Sequence, residues 1–149
     1  MEKLLWSVAL PGFGQLLNGK LLKGFHLIFL ELLVNVQANL NEVILLSFHG
    51  NIESAIQQAN YEWLMFYPCL YCFAAWDAYR DSESKKSPYL YLPFVFAAFF
   101  VTVGLIYSPS LKIMGVMLGP VWLPILSFIP GVGIGLILML LLDKRQDKP

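Results

Sequence analysis

Polar side chains capable of proton or ion chemistry lie inside an apolar stretch of this sequence, residues 25–48. If the stretch is one helix, four of them fall within an arc of about 80°, because each residue advances a helix by about 100°. Such a stripe can form a hydrated path for protons or cations, with a carboxylate as its ionisable centre. It can instead line the interior of a helix bundle and hydrogen-bond neighbouring helices. The four residues are Glu31, Asn35, Asn39 and Glu42.

Glu31 is the ionisable residue of this polar stripe that lies far from either end of the apolar stretch. It follows Lys23 by eight residues, which is about 12 Å of helix, and an ionised carboxylate is costly at that depth in a hydrocarbon layer. We therefore expect Glu31 to be protonated or paired near neutral pH.

The other reactive side chains do not form a catalytic or metal-binding set. Cys69 and Cys72 are a single CxxC in the middle of an apolar segment, whereas a structural metal site needs four ligands. His26 and His49 are far apart in the chain, and no phosphate loop, HExxH or Ser-His-Asp pattern is present. We therefore predict a non-enzymatic protein with no catalytic residue, cofactor or metal.

Residues 11–24 combine four glycines with one proline between apolar segments. This composition predicts a break in any helix that starts near Leu4 and a turn at Asn18-Gly19. Gln15 and Asn18 can hydrogen-bond the backbone groups that the break frees, and the lysines can lie beside phosphate headgroups. A generic glycine-rich turn would look the same. The motif residues are Pro11, Gly12, Gly14, Gln15, Asn18, Gly19, Lys23 and Gly24.

The pattern Pro-Gly-x-Gly-Gln-x-x-Asn-Gly, followed by Lys-Gly, resembles the helix-connecting signature of bacterial proteins related to the TM2 domain. The resemblance covers roughly the first forty residues. The later sequence Asp77-Ala78-Tyr79-Arg80 resembles a segment that recurs at the cytoplasmic end of a following helix in such proteins. The resemblance implies a membrane-embedded module without an agreed chemistry. Independently of it, Asp77 and Arg80 are three residues apart on a helix and are expected to pair at the headgroup level.

Composition identifies the bilayer as the expected solvent for this chain. It is 58% hydrophobic and 13% charged, whereas about a quarter of the residues of a soluble domain are charged. Zero net charge argues against a nucleic-acid partner. We predict one all-α domain, residues 1–149, folded as a polytopic integral membrane bundle of four to five transmembrane or re-entrant helices. Its segments are 4–17 (short or re-entrant), 25–48, 61–79, 89–107 and 113–142 (with a start broken by prolines).

Two pairs of glycines have the GxxxG spacing in apolar surroundings, Gly115 with Gly119 and Gly131 with Gly135. Small residues at this spacing let a neighbouring backbone approach closely. The neighbour can be another helix of the same chain, a second copy or another membrane protein, so the spacing alone leaves these alternatives open.

The distribution of basic residues predicts the orientation, because cytoplasmic flanks accumulate Lys and Arg. Five alternating segments put eight basic residues on one side and leave only Lys3 and Lys112 on the other. The C-terminus and the loop 80–88 are therefore expected in the cytoplasm of a multi-pass cell-membrane protein. The eight are Lys20, Lys23, Arg80, Lys85, Lys86, Lys144, Arg145 and Lys148.

These features favour an accessory, scaffolding or interaction module whose partners are the bilayer and other membrane proteins or itself. The alternative is a small transporter or an ion or proton pathway, for which the polar stripe is the support. An intramembrane enzyme has no residue-level support.

Overall fold

The computed structural model describes residues 2–81 and 87–146 and is 77% helical, so the all-α prediction is confirmed. Within those ranges the chain forms nine helices and one two-stranded antiparallel hairpin. The elements are α1 Glu2–Ala9, α2 Phe13–Leu17, α3 Leu21–Gln37, α4 Leu40–Phe48, α5 Ile52–Gln58, α6 Tyr61–Leu64, α7 Tyr67–Arg80, α8 Leu92–Tyr107, β1 Lys112–Ile113, β2 Val116–Met117 and α9 Gly119–Gln146.

Helices α8 and α9 form the most extensive helix pair of the described chain, and glycines make their close contact possible. A Cβ added to Gly131 would lie 2.8 Å from the Phe96 carbonyl oxygen, and one added to Gly135 would lie 2.7 Å from the Leu92 carbonyl oxygen. The Gly131 and Gly135 pair therefore packs against a helix of the same chain, which is one of the alternatives left open by the sequence.

The other glycine pair does not form a helix face, so that part of the prediction is wrong. Gly115 lies in the turn between β1 and β2 with a φ of 82°, and Gly119 is the first residue of α9 with a φ of 70°. A Cβ on Gly119 would meet the side chain of Ile52 in α5. The hairpin and this contact join the start of α9 to the segment that follows α4.

Helix α9 is the one helix in the described part of the chain that is long and apolar enough by itself to cross a membrane. Its 28 residues span about 42 Å. The prolines do not break the start of segment 113–142 as predicted: the hairpin precedes Pro120, and α9 runs without interruption through Pro124 and Pro130. Helix α8 is apolar but has only 16 residues.

The apolar stretch 25–48 is not one helix, because α3 and α4 meet at a 62° bend. Asn39 adopts a left-handed φ of 55° at the bend, and its side-chain amide donates to the Gln58 carbonyl at 3.0 Å. The prediction of one continuous polar stripe is therefore wrong. Glu31 is buried, whereas Asn39 and Glu42 are exposed, and Asn35 donates to Asn41 at 3.3 Å.

The N-terminal segment folds back on itself at the predicted break. Helix α1 ends at Ala9 and α2 begins at Phe13, and Gly12 between them has a φ of 108°. A Cβ on Gly12 would overlap the carbonyl oxygen of Gly24 in α3, so only glycine fits there. The two short helices thus form a hairpin that rests on α7.

Candidate functional site at the end of helix α7

The N-terminal motif attaches to helix α7 through two side-chain amides. The Gln15 amide nitrogen donates to the Ala74 carbonyl at 2.8 Å and to the Asp77 carboxylate at 3.0 Å. The Asn18 amide nitrogen donates to the Ala78 carbonyl at 3.0 Å. The expectation that these amides bond the backbone of their own turn is therefore wrong. Backbone bonds close that turn instead, for example from the amide nitrogen of Lys20 to the carbonyl of Gln15 at 2.9 Å.

Asp77 is the centre of the site, and only 1% of its side chain is exposed. Its carboxylate accepts hydrogen bonds from Lys23 Nζ at 2.8 Å, from Gln15 at 3.0 Å and from Arg80 at 3.3 Å. The predicted pairing of Asp77 with Arg80 is confirmed, but the lysine of the motif is the closer cation. A carboxylate removed from water needs such partners, because the desolvation cost is offset only when its lone pairs are satisfied.

A second carboxylate extends the site toward its exposed side. Asp81 pairs with Lys20, and Arg80 Nε lies 3.7 Å from Asp81. Burial of Asp81 opposes its ionisation, but the hydrogen bond from Lys20 and the charges of Lys20, Arg80 and Lys23 outweigh it, so the pKa of Asp81 is lowered. We call the set Gln15, Lys20, Lys23, Asp77, Arg80 and Asp81 the Asp77 cluster.

The Asp77 cluster joins the two sequence segments that carry the resemblance, and neither segment alone indicates this contact. Lys20 and Lys23 were expected beside phosphate headgroups, yet carboxylates of the same chain are their partners in the cluster. The signal that sequence reasoning missed is complementary spacing: the two lysines are one helical turn apart, and so are Asp77 and Asp81.

Small residues allow α2 and α7 to approach closely enough for these bonds. A Cβ on Gly14 would lie 2.6 Å from the Ala78 Cβ, and it would also overlap the Ser7 hydroxyl in α1. The same position is 2.5 Å from the Lys3 carbonyl oxygen. The backbone of Lys3 therefore lies close to Ala78, at the same end of α7 as the Asp77 cluster.

We expect a side chain at Gly19 to strain the turn that holds the motif in place. Gly19 has a φ of 76°, and no atom lies within 4 Å of the position of its missing Cβ. Gly19→Val should therefore cost about 1–2 kcal/mol through backbone strain alone. Gly19→Asn should cost less, because Asn tolerates the left-handed region. Chemical unfolding of the purified variants measures both values, and equal losses for Val and Asn would contradict the strain argument.

A hydrogen bond joins the start of α8 to the charged end of α9. The Ser87 hydroxyl, just before α8, donates to Asp143 near the end of α9 at 2.7 Å. Asp143 is followed by Lys144 and Arg145. At the opposite end, the indole of Trp122 donates to the Ser47 carbonyl at 3.1 Å.

Three residues of the predicted cytoplasmic set, Lys85, Lys86 and Lys148, lie outside the described residues with most of the 80–88 loop.

Glu31 has one clear partner, a tyrosine of α7. The Tyr67 hydroxyl donates to the Glu31 carboxylate at 2.7 Å, and the Tyr67 ring stacks on Tyr71 with centroids 4.9 Å apart. Only 4% of Glu31 is exposed. The expectation that Glu31 is protonated or paired is met by this hydrogen bond. An apolar cavity of about 380 Å³ lies on the other side of the two tyrosines, toward α8 and α9.

Metal-ligating residues do not cluster within the described ranges, where no group of three or more His, Cys, Asp or Glu side chains could hold an ion. Cys69 and Cys72 are free thiols. Comparison with protein-family models found no match, and comparisons with curated proteins and with solved structures found none either.

Proposed function

We propose that this chain is a multi-spanning protein of the cell membrane that acts without catalysis, as an accessory, scaffolding or interaction module. The observation that carries the proposal is the Asp77 cluster. Its central carboxylate is buried and satisfied by Gln15, Lys23 and Arg80, so it locks the N-terminal hairpin to α7 instead of facing a substrate. An ion cluster with a buried, hydrogen-bonded centre that holds two parts of the bundle together is consistent with a structural role.

Exposed apolar side chains support the membrane location. Leu22 of α3 is 90% exposed, and Phe29, Phe99 and Ile129 are exposed on α3, α8 and α9. Water would disfavour so much apolar surface on a monomer, whereas lipid tails solvate it. Helix α9 has the length of a full span, and α3 with α4 can supply a bent second one.

Charge placement supports a cytoplasmic position for the Asp77 cluster. If α1 and α2 form a re-entrant hairpin, Lys3 belongs to the same side as Lys20 and Lys23, and only Lys112 remains on the other side. The bias is then stronger than the alternating arrangement gives. Under this proposal the start of α8 and the end of α9 also face the cytoplasm, whereas the β1–β2 hairpin and the 49–60 segment face outward.

Reporter fusions test this topology. Fusions after Pro149 and within residues 80–88 should report the cytoplasm, and a fusion within residues 50–60 should report the outside. A fusion at the N-terminus should also report the cytoplasm, because the re-entrant hairpin returns there. An outside signal at Pro149 would contradict the single crossing of α9, and recovery of the protein in the soluble fraction would contradict the membrane location altogether.

The interaction role is tested through the charged segments that the proposal places in the cytoplasm. Neutralising the lysines of the 80–88 loop and of the tail after Asp143 should remove partners found by crosslinking and mass spectrometry in the native membrane. The matched control neutralises Lys112 on the opposite side and should keep those partners. An unchanged partner set in the cytoplasmic variant would count against an interaction module.

A second candidate function, proton or ion passage, is favoured by one observation, the buried Glu31 carboxylate. Its Tyr67 bond and the apolar cavity beyond the tyrosines support a packing role instead. We expect Glu31→Gln to keep wild-type stability, because the amide oxygen still accepts from Tyr67. Glu31→Leu should cost about 2 kcal/mol by leaving that hydroxyl without an acceptor.

Flux measurements on proteoliposomes separate the two roles of Glu31. Under the packing role, wild-type protein and Glu31→Gln show the same background flux at every pH. A pH-dependent flux in the wild type that disappears in Glu31→Gln would establish the pathway instead. Tyr67→Phe is the matched variant, since it removes the hydroxyl and keeps the carboxylate.

A further inference from the structure

A surface groove between α7 and α8 lies beside the Asp77 cluster. Its volume is about 730 Å³ and its lining is almost entirely apolar. The Tyr61 and Ser108 hydroxyls meet at 3.1 Å, so the start of the α6–α7 segment lies beside the end of α8 and the helices run antiparallel. Trp76 and Tyr91 therefore line the end of the groove nearest Arg80, and Cys69 and Thr102 line the far end.

The groove is long enough to hold part of an extended apolar chain. From Tyr91 to Thr102 is eleven residues, which is about 16 Å along α8. Phe73, Val95 and Phe99 form its walls and are themselves exposed, so the groove is open along its side. An occupant can enter it laterally from a surrounding bilayer without unfolding of either helix.

Positive charge lies at the mouth of the groove. The Arg80 guanidinium stacks over the Trp76 ring, 4.5 Å from its centroid, and 48% of the Arg80 side chain is exposed. In the Asp77 cluster three cationic side chains face two carboxylates, so one positive charge is in excess. Arg80 contacts its carboxylates only at 3.3 and 3.7 Å. A planar guanidinium with donors to spare is well suited to bind a phosphate.

We infer that this groove binds an anionic phospholipid, with one acyl chain along α7 and α8 and the phosphate on the exposed guanidinium of Arg80. The inference rests on the membrane location proposed above. The excess charge selects an anionic headgroup over a zwitterionic one, because the attraction depends on the net charge of the lipid. Trp76 and Tyr91 are amphipathic rings of the kind that favour the headgroup level.

The test uses full-length protein, purified in detergent and stripped of lipid. It is then incubated with phosphatidylglycerol or phosphatidylcholine carrying the same acyl chains, and retained lipid is counted by native mass spectrometry. One basic side chain near the headgroup should give about a fivefold preference for phosphatidylglycerol. Arg80→Gln should reduce this preference to about one. Arg145→Gln neutralises an exposed arginine of α9 and should keep the wild-type preference.

The apolar part of the site is tested separately by filling the groove. Ala98→Trp places an indole in the groove lining and should lower the retention of both lipids. Ala9→Trp adds the same ring at an exposed position of α1 and should not. If Arg80→Gln does not fold, the comparison of Ala98→Trp with Ala9→Trp tests the inference by itself. Unchanged lipid retention in Ala98→Trp overturns the inference. Equal retention of both lipids by membrane-extracted wild-type protein overturns this inference only, whereas a water-soluble wild-type protein overturns the proposed function with it.

Discussion

Asp77→Ala should destabilise the protein by about 2–3 kcal/mol, because it removes the hydrogen bonds of a buried carboxylate, whereas the half-exposed Lys23 and Arg80 regain water. The substitution removes one of the two acceptors of the Gln15 amide and the carboxylate acceptor of Lys23, and it removes the nearer carboxylate partner of Arg80. Because Asp77 is one of the α7 residues that hold the N-terminal hairpin, the motif segment should become more accessible to protease. Chemical unfolding of the purified protein measures the loss, and limited proteolysis locates it.

The neighbouring aspartate provides the control for this prediction. Asp81 forms a more exposed pair with Lys20, so Asp81→Asn should cost about 0–1 kcal/mol. Its pKa is lowered from 3.8, so its stabilising contribution is present above that value and is lost as pH falls through the folded-state pKa. The stability difference between wild type and Asp81→Asn should therefore vanish in strong acid. Equal losses for the Asp77 and Asp81 variants at neutral pH would show that the cluster has no buried centre.

The sequence predicted the helix breaks that depend on the residues at the break itself. Gly12 and Gly19 lie at the two predicted breaks, and their positive φ angles suit few other residues. The bend between α3 and α4 has a different origin. There the Asn39 side-chain amide donates to the Gln58 carbonyl, and the backbone N–H of Asn60 donates to the Ala38 carbonyl at 3.3 Å. Both partners are about twenty residues away in sequence, so helical periodicity could not reveal them.

The candidate site could be predicted in halves but not as a whole. The motif and the Asp77–Arg80 pair are each visible in the sequence, yet Lys23 and Asp77 are 54 residues apart. Only the tertiary fold brings these charges together. The sequence also could not distinguish the two glycine pairs, because their spacing is identical. One lies on a helix face against α8, and the other lies at a hairpin, because the spacing does not say whether the segment is helical.

Gly135→Val should cost about 3 kcal/mol, at the upper end of the range for overpacking. A Cβ at this position would overlap the Pro93 Cα and lie 2.7 Å from the Leu92 carbonyl oxygen. Both neighbours are backbone atoms of α8, so no side-chain rotation can relieve the clash, and the two helices must separate. The change should also lower accumulation in the membrane, which immunoblotting of membrane fractions measures beside the unfolding free energy.

Gly133→Val, two residues away on α9, is the matched control, because no atom lies within 4 Å of the Cβ position of Gly133. This variant has the same composition and the same intrinsic helix propensity as Gly135→Val, so the difference between them isolates the contact with α8. We expect Gly133→Val to remain within about 0.5 kcal/mol of wild type, as is usual for substitutions on an open surface. If instead Gly133→Val is the more damaging change, the overpacking argument for Gly135 is wrong, and contact of the open face of α9 with another chain would explain the result.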